Sequence, residues 1–285
     1  NLLNVHSWSV LPGSTDRSIS LTLSSLNRMN TFGMDAGYDY DFNEKSGFFR
    51  GGVSYAGFFP ILGISGQSGT RSTTYRDFGG TEHRTSWNEK SIRAGFTIPL
   101  NFTKGLYHMS AAVRASASHV EVGGKSVTEA WDVNNGSFTP LTYEADFSAG
   151  MQWMRDIHPR WGQFVSIAYS HSPFKADDYK GSLFSVLGTF YFPGSVPSHG
   201  IWLQAGYERQ DVVNYRFASR MRFPRGYDAV FHASLFKASM NYDFPIWYPD
   251  LHLWSLLNVQ RFRANIFYDM AEGHDVSQLR RYHSG

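Results

Sequence analysis

The sequence of 285 residues contains no cysteine, which excludes a disulfide framework and any chemistry that needs a thiolate. It also lacks an apolar run near the roughly 18–20 residues that a membrane-spanning helix requires, so a helical membrane protein is excluded. Charge of one sign does not accumulate, because the 26 basic and 24 acidic side chains are interspersed. Without a basic patch or stripe, the sequence predicts no nucleic-acid partner.

Sequence motifs of enzymes are also missing. No Gly-x-Ser-x-Gly elbow occurs, and no spacing places a nucleophile beside a base. The 11 histidines show no close spacing with a second ligand of the kind that zinc sites use. We therefore predict that the protein is not an enzyme, with no catalytic residue, no metal site and no cofactor.

The sequence does have a repeated alternation of apolar and polar side chains over about ten residues. Between residues 141 and 153, every odd position is apolar and nearly every even position is polar or charged. Glycine, proline, asparagine or aspartate ends most of these segments, which is typical of strands and turns. The pattern predicts thirteen strands: 3–10, 18–26, 31–41, 48–56, 61–70, 91–99, 106–120, 139–153, 163–172, 183–192, 201–212, 232–244 and 256–270.

Alternation alone fits both a soluble sandwich, which buries the apolar face, and a membrane barrel, which turns it to lipid. Strands of about nine to eleven residues or more have the length that a tilted membrane strand needs. Short connections alternate with long polar ones, as periplasmic turns alternate with outer loops. Aromatic pairs end the apolar faces, as in interfacial girdles: Tyr38/Tyr40, Phe58/Phe59, Trp153/Trp161, Tyr191/Phe192 and Trp247/Tyr248.

These features favour an all-β fold, a transmembrane antiparallel β-barrel that occupies residues 1–285 as a single domain. Four long outer loops are predicted: 71–90, 123–138, 174–182 and 213–231. Charged side chains of both signs lie on the predicted lumen wall: Arg50, Arg93, Arg114, Glu144, Asp146, Glu208 and Arg263. Such a lining suits either the selectivity of a pore or the anchoring of an infolded loop.

The predicted loop 213–231 contains the tripeptide Arg225-Gly226-Tyr227, between the eleventh and twelfth predicted strands. On the thirteenth strand, the alternation places Asp269 on the face opposite to Tyr268, so that its carboxylate points inward. An arginine offers a planar, two-pronged grip on a carboxylate. Arg225 and Asp269 have the groups that such a contact needs, and an ordinary surface loop is the alternative that the tripeptide alone leaves open.

This arrangement resembles the BamA-type surface-antigen family, whose sixteen-stranded barrel carries an Arg-Gly-aromatic motif in the same loop. In that family the loop folds into the lumen and its arginine meets an acid on the thirteenth strand. The resemblance implies that Arg225 and Asp269 latch the loop. It also implies that four neighbouring residues shape it: Phe223, Pro224, Gly226 and Tyr227.

The resemblance implies an integral protein of the bacterial outer membrane that inserts or translocates polypeptides. Its partners would be outer-membrane lipid, unfolded client polypeptides and accessory outer-membrane lipoproteins or complex subunits. Clients would be templated at a seam between the first and last strands. The first-strand half of that seam is predicted at Val5, His6, Ser7 and Trp8.

The family's closing strands would follow residue 285, and its periplasmic domain would precede residue 1. We expect the barrel to be incomplete at its C-terminal side and that periplasmic domain to be absent; a partner that supplies the closing strands is the alternative. Two other functions remain open at this point: a passive porin, and a non-catalytic barrel subunit or receptor of a larger outer-membrane complex.

Overall fold

A computed structural model describes residues 5–12, 18–76, 81–124, 135–152, 158–196, 198–253, 257–275 and 279–285. Within these ranges no helix is long and apolar enough to span a membrane. The strands are β1 (Val5–Pro12), β2 (Ser18–Leu26), β3 (Phe32–Asp41), β4 (Ser46–Tyr55), β5 (Ile61–Arg76), β6 (Glu82–Asn101), β7 (His108–Gly123), β8 (Gly136–Phe138), β9 (Leu141–Met151), β10 (Trp161–His171), β11 (Gly181–Pro193), β12 (Gly200–Val212), β13 (Ser234–Trp247), β14 (Leu251–Leu253), β15 (Leu257–Val259), β16 (Phe262–His274) and β17 (Leu279–Ser284).

Fifteen of the strands form one sheet, in the order β1-β2-β3-β4-β5-β6-β7-β9-β10-β11-β12-β13-β16-β17, and β8 pairs with β7. β14 and β15 form a separate two-stranded sheet. Each long strand is followed in space by the next long strand in sequence, as short connections between antiparallel neighbours allow. The predicted all-β antiparallel fold is confirmed, and the thirteen predicted strands correspond in order to β1–β7, β9–β13 and β16.

Two predicted strands are longer than expected. Residues 71–90 were predicted as an outer loop, but β5 and β6 stay paired to Arg76↔Glu82. This extension carries polar residues on both faces, so it lacks the apolar alternation on which the prediction depended. Arg71 donates to both carboxylate oxygens of Glu44, at 2.8 to 3.2 Å, and thereby ties the extension to the turn between β3 and β4.

The sheet also contains β8 and β17, which the sequence pattern did not predict. β17 pairs with β16 from Asp269↔Ser284 to His274↔Leu279. Its sequence, with two arginines and a histidine in six residues, gives no apolar alternation. Several positions of the sequence-based prediction lie outside the described residues: 3, 4, 153, 256 and parts of the predicted loops 71–90 and 123–138.

The chain forms two compact units. The first comprises residues 1–98, 114–143 and 171–180, and the second comprises 99–113, 144–170 and 181–285. In the first unit, Arg50 of β4 forms ion pairs with two aspartates of β3, Asp35 and Asp39. The second unit contains all of β11, β12, β13, β16 and β17, together with the connection that carries Arg225.

On β13, in the second unit, polar side chains are buried and apolar side chains are exposed, which is the reverse of the pattern in a water-soluble sheet. On β13, Lys237, Ser239 and Asn241 are buried, with exposures of 6%, 6% and 0%. Phe236 and Met240, on the opposite face, are exposed by 39% and 52%. Because polar groups are buried only when something covers and satisfies them, the polar face of β13 must be covered by another segment.

Candidate functional site

The covering segment is residues 213–233, which connect β12 to β13 and are called the β12–β13 loop below. Its Met221 is 8% exposed and packs against Leu235 of β13 and Ala271 of β16. Gly206 of β12 leaves room for this side chain, since a Cβ there would lie 2.5 Å from the Met221 sulfur. A small apolar contact therefore holds the middle of the loop on an otherwise polar face.

Arg225 of the loop contacts Asp269 of β16 through three hydrogen bonds. The guanidinium donates from Nε to Oδ2 at 2.8 Å and from Nη2 to Oδ1 at 2.7 Å, and the backbone N–H of Arg225 donates to Oδ2 at 3.1 Å. The Asp269 side chain is only 1% exposed, whereas that of Arg225 is 41% exposed. A two-pronged, charge-assisted contact to a buried carboxylate is among the strongest that a side chain makes.

Arg225 also contacts the neighbouring strand and an aromatic ring. Its Nη2 donates to Oδ1 of Asn241 on β13 at 2.9 Å. Its guanidinium carbon lies 3.4 Å from the centroid of the Phe267 ring on β16, which is a cation–π contact. One loop side chain therefore binds two adjacent strands at once.

The residues around Arg225 set the path of the backbone. Pro224 is fully buried, and the Tyr227 N–H donates to its carbonyl oxygen at 3.4 Å, which closes a turn. Gly226 has φ of +84°, and no atom lies within 4 Å of the position that a Cβ would take. The need for glycine here is therefore conformational rather than steric, because L-residues disfavour this region.

Aromatic contacts join the loop to β17. The Tyr227 hydroxyl donates to the carbonyl oxygen of His283 at 2.7 Å. The Tyr282 ring lies 4.9 Å from Phe223 and 5.3 Å from Tyr227, edge-on in both cases. The Tyr282 hydroxyl also lies 3.0 Å from Nε2 of His232.

Glu208 of β12 holds the first part of the loop. Its buried carboxylate accepts hydrogen bonds from Ser219 Oγ at 3.1 Å, from the Arg220 N–H at 3.1 Å and from Gln210 Nε2 at 3.2 Å. Arg220 in turn donates from Nη2 to Glu144. Two acidic residues assigned from the sequence to the polar face therefore contact the loop.

The structure brings together the predicted residues Phe223, Pro224, Arg225, Gly226, Tyr227 and Asp269. Sequence reasoning missed Met221, Asn241 and Tyr282, all of which contact this group. Asn241 lies on the polar face of its strand and was visible in the alternation. Met221 and Tyr282 carry no local signal, because a methionine in a loop and a tyrosine between charged residues are common.

The four residues predicted for the seam lie on β1, in the first compact unit. Ser7 and Trp8 pair with β2, and a register shift between Val5 and Ser7 leaves His6 out of the regular ladder. His6 instead accepts a hydrogen bond from the Leu26 N–H through Nδ1, at 3.3 Å. Val5 and Trp8 are 67% and 74% exposed, so β1 presents little buried surface at this end.

No protein-family model matches the sequence, and no curated protein matches it. The structure is similar to CdiB from Escherichia coli, with a TM-score of 0.59, 12% identity, and coverage of 95% of this chain and 57% of that chain. It is also similar to BamA from Haemophilus ducreyi lacking POTRA domains 1–3, with a TM-score of 0.56, 13% identity, and coverage of 89% and 54%.

The chain thus spans a little over half the length of each of these two proteins. At 12% and 13% identity the likeness shows the fold. The chain has the fold of the BamA-type barrels, and the fold that the sequence resemblance implied is confirmed.

Proposed function

We propose that this chain is the barrel of an insertase or translocase that assembles or exports polypeptides at the bacterial outer membrane. The observation that carries the proposal is the two-pronged contact between Arg225 and the buried Asp269. The fold shared with CdiB and BamA supports it, because the contact lies in the loop and on the strand where the BamA-type family has its own.

Exposed apolar side chains support a membrane location. Ile64, Ile92 and Ile266 are exposed by 61%, 64% and 65%, each on a strand whose opposite face is polar. In water such surfaces would associate, whereas lipid tails solvate them at no cost. Trp247 and Phe262 stack at 5.9 Å near the end of their strands, as aromatic residues do at a lipid interface.

In this proposal the β12–β13 loop lies inside the barrel and is latched by Arg225. The loop joins β12, β13, β16 and β17, so the latch stabilises that part of the wall. β1 forms the first-strand half of the seam. The irregular pairing at His6 and the high exposure of Val5 and Trp8 suit an edge that client strands extend by backbone hydrogen bonds.

No covalent step is part of the proposed function, and the protein acts as a binding and templating surface rather than as an enzyme. The partners are outer-membrane lipid, unfolded client polypeptides and accessory lipoproteins or complex subunits.

The test is insertion of an unfolded outer-membrane barrel protein into liposomes that contain the purified protein. We expect Arg225→Ala to slow insertion several-fold and to lower the temperature at which the folded band is lost on electrophoresis. Arg209→Ala is the matched control, since Arg209 is exposed on β12 and its side chain points away from Glu208. Client insertion by Arg225→Ala at the rate of the unsubstituted protein would overturn the proposal.

Two other outcomes would assign a different function. Steady conductance in planar bilayers, without client insertion, would identify a passive porin. Stable co-purifying subunits without client turnover would identify a structural subunit or a receptor.

A further inference from the structure

A second cationic side chain, Lys237, lies beside Asp269 on the covered polar face. In the pairing of β13 with β16, Ser239 is opposite Asp269 and Lys237 is opposite Ala271. Lys237 and Asp269 are therefore diagonal neighbours on the same face of adjacent strands. Diagonal neighbours are within reach of each other when one side chain is long.

Lys237 is only 6% exposed, which is rare for a lysine without a charged partner. Asp269 attracts its ammonium group, and Arg225 and Arg222 repel it. Both Asp269 oxygens accept hydrogen bonds from Arg225. Lys237 is thus held next to a carboxylate that another cation already occupies.

Withdrawal of Arg225 would leave the Asp269 carboxylate, 1% exposed, as an unpaired buried charge. Breaking a buried pair by removing one partner is strongly destabilising, because the remaining charge is neither solvated nor paired. A loop held only in this way could not be released without that cost. A second cation within reach of Asp269 would pair with the carboxylate and so remove most of that cost.

We propose that Lys237 is the alternative partner of Asp269, and that its ammonium group pairs with the carboxylate when Arg225 leaves. The contact between Arg225 and Asp269 is then reversible. In one arrangement Arg225 balances the charge of Asp269, and in the other Lys237 balances it. That this reversibility serves client handling rests on the proposed function, whereas the exchange of partners itself does not.

The proposal is tested by a double-mutant cycle of Arg225→Met and Lys237→Met, which remove charge with little change in volume. The measurement is the midpoint temperature at which the folded band is lost. Each single variant keeps one cation for Asp269, so its midpoint should fall only by what the other contacts of the lost cation contribute. The double variant leaves Asp269 unpaired, and its midpoint should fall by about 5 °C more than the sum of the single falls. A purely additive cycle would overturn the proposal.

Three further variants isolate the cause. In an Asp269→Asn background the extra loss should vanish, since no charge then needs a partner. Lys237→Arg combined with Arg225→Met should behave like Arg225→Met alone. Lys90→Met, at an exposed lysine of β6, should be additive with Arg225→Met. Non-additivity that persists with Asp269→Asn would show that Lys237 acts on some other group.

The two proposals fail separately, because the cycle is measured without a client. A non-additive cycle together with normal client insertion by Arg225→Ala would support the exchange of partners and overturn the insertase function. An additive cycle together with slow insertion by Arg225→Ala would overturn the exchange of partners and support the insertase function.

Discussion

Two arginines on polar strand faces bind aspartates in different surroundings. In the first unit, Arg50 lies 3.0 Å from Asp39 and 3.7 Å from Asp35, whose side chains are 36% and 47% exposed. In the second unit, Arg225 lies 2.7 Å from Asp269, whose side chain is 1% exposed. The chemistry of the pairs is the same, whereas their access to water is not.

The difference comes from what covers the strands. Arg50 and its partners all belong to neighbouring strands, and Arg50 also donates to Ser20 at 2.9 Å on the same face. Arg225 comes from a loop that brings the buried Pro224 with it. Exclusion of water strengthens a charge pair and raises the cost of breaking it, whereas an exposed pair contributes little. Both units therefore have paired charges on the polar face of the sheet. In the second unit the β12–β13 loop covers the pair of Arg225 with Asp269, and this burial raises its contribution to the stability of the fold.

The largest expected effect is the loss of stability when Asp269 is removed. Asp269→Ala removes the anion that holds Arg225 and should destabilise the folded protein by about 3–5 kcal/mol. Asp35→Ala, at a half-exposed partner of Arg50, should cost about 0–1 kcal/mol. Denaturant unfolding of both variants in detergent measures the difference. Equal losses would contradict the view that burial, and not the type of pair, decides stability.

A smaller effect is expected for reversal of the covered pair. Arg225→Asp with Asp269→Arg should recover part of the loss of either single variant, by roughly 0.5–3 kcal/mol of interaction energy. Recovery should be incomplete, because the backbone N–H of Arg225 also donates to Asp269 and would face an arginine instead. If the double variant is no more stable than the worse single variant, direct pairing of these side chains does not stabilise the fold.

The smallest effect is expected at Arg50. Arg50→Ala should cost up to about 1 kcal/mol at low salt and nothing measurable near 1 M salt, where charges are screened within about 3 Å. The loss in Arg225→Ala should change little over the same range, because its partner is shielded from ions. Unfolding of both variants at low and high salt checks this. A salt-independent loss at Arg50 would show that packing, and not charge, is what the substitution removes.

Much of the fold was predictable because alternation is a local property. A strand with one polar and one apolar face shows a period of two whatever its neighbours are, and Asp269 was placed on the polar face of β16 in this way. β17 could not be predicted from alternation, because it is a strand only through its pairing with β16. The β5–β6 extension was missed for the same reason, since its residues 71–76 and 82–90 are mostly polar and are held by pairing and by Glu44.

The sequence by itself determined thirteen of the strands, their order and the presence of an arginine and an aspartate suited to each other. Only the tertiary structure decided that the Asp269 side chain is 1% exposed, that Glu208 holds the first part of the loop and that Lys237 lies diagonal to Asp269. Periodicity reports which face a side chain takes. Burial and pairing depend on which distant segment covers that face, and here residues 44 positions apart in the chain meet.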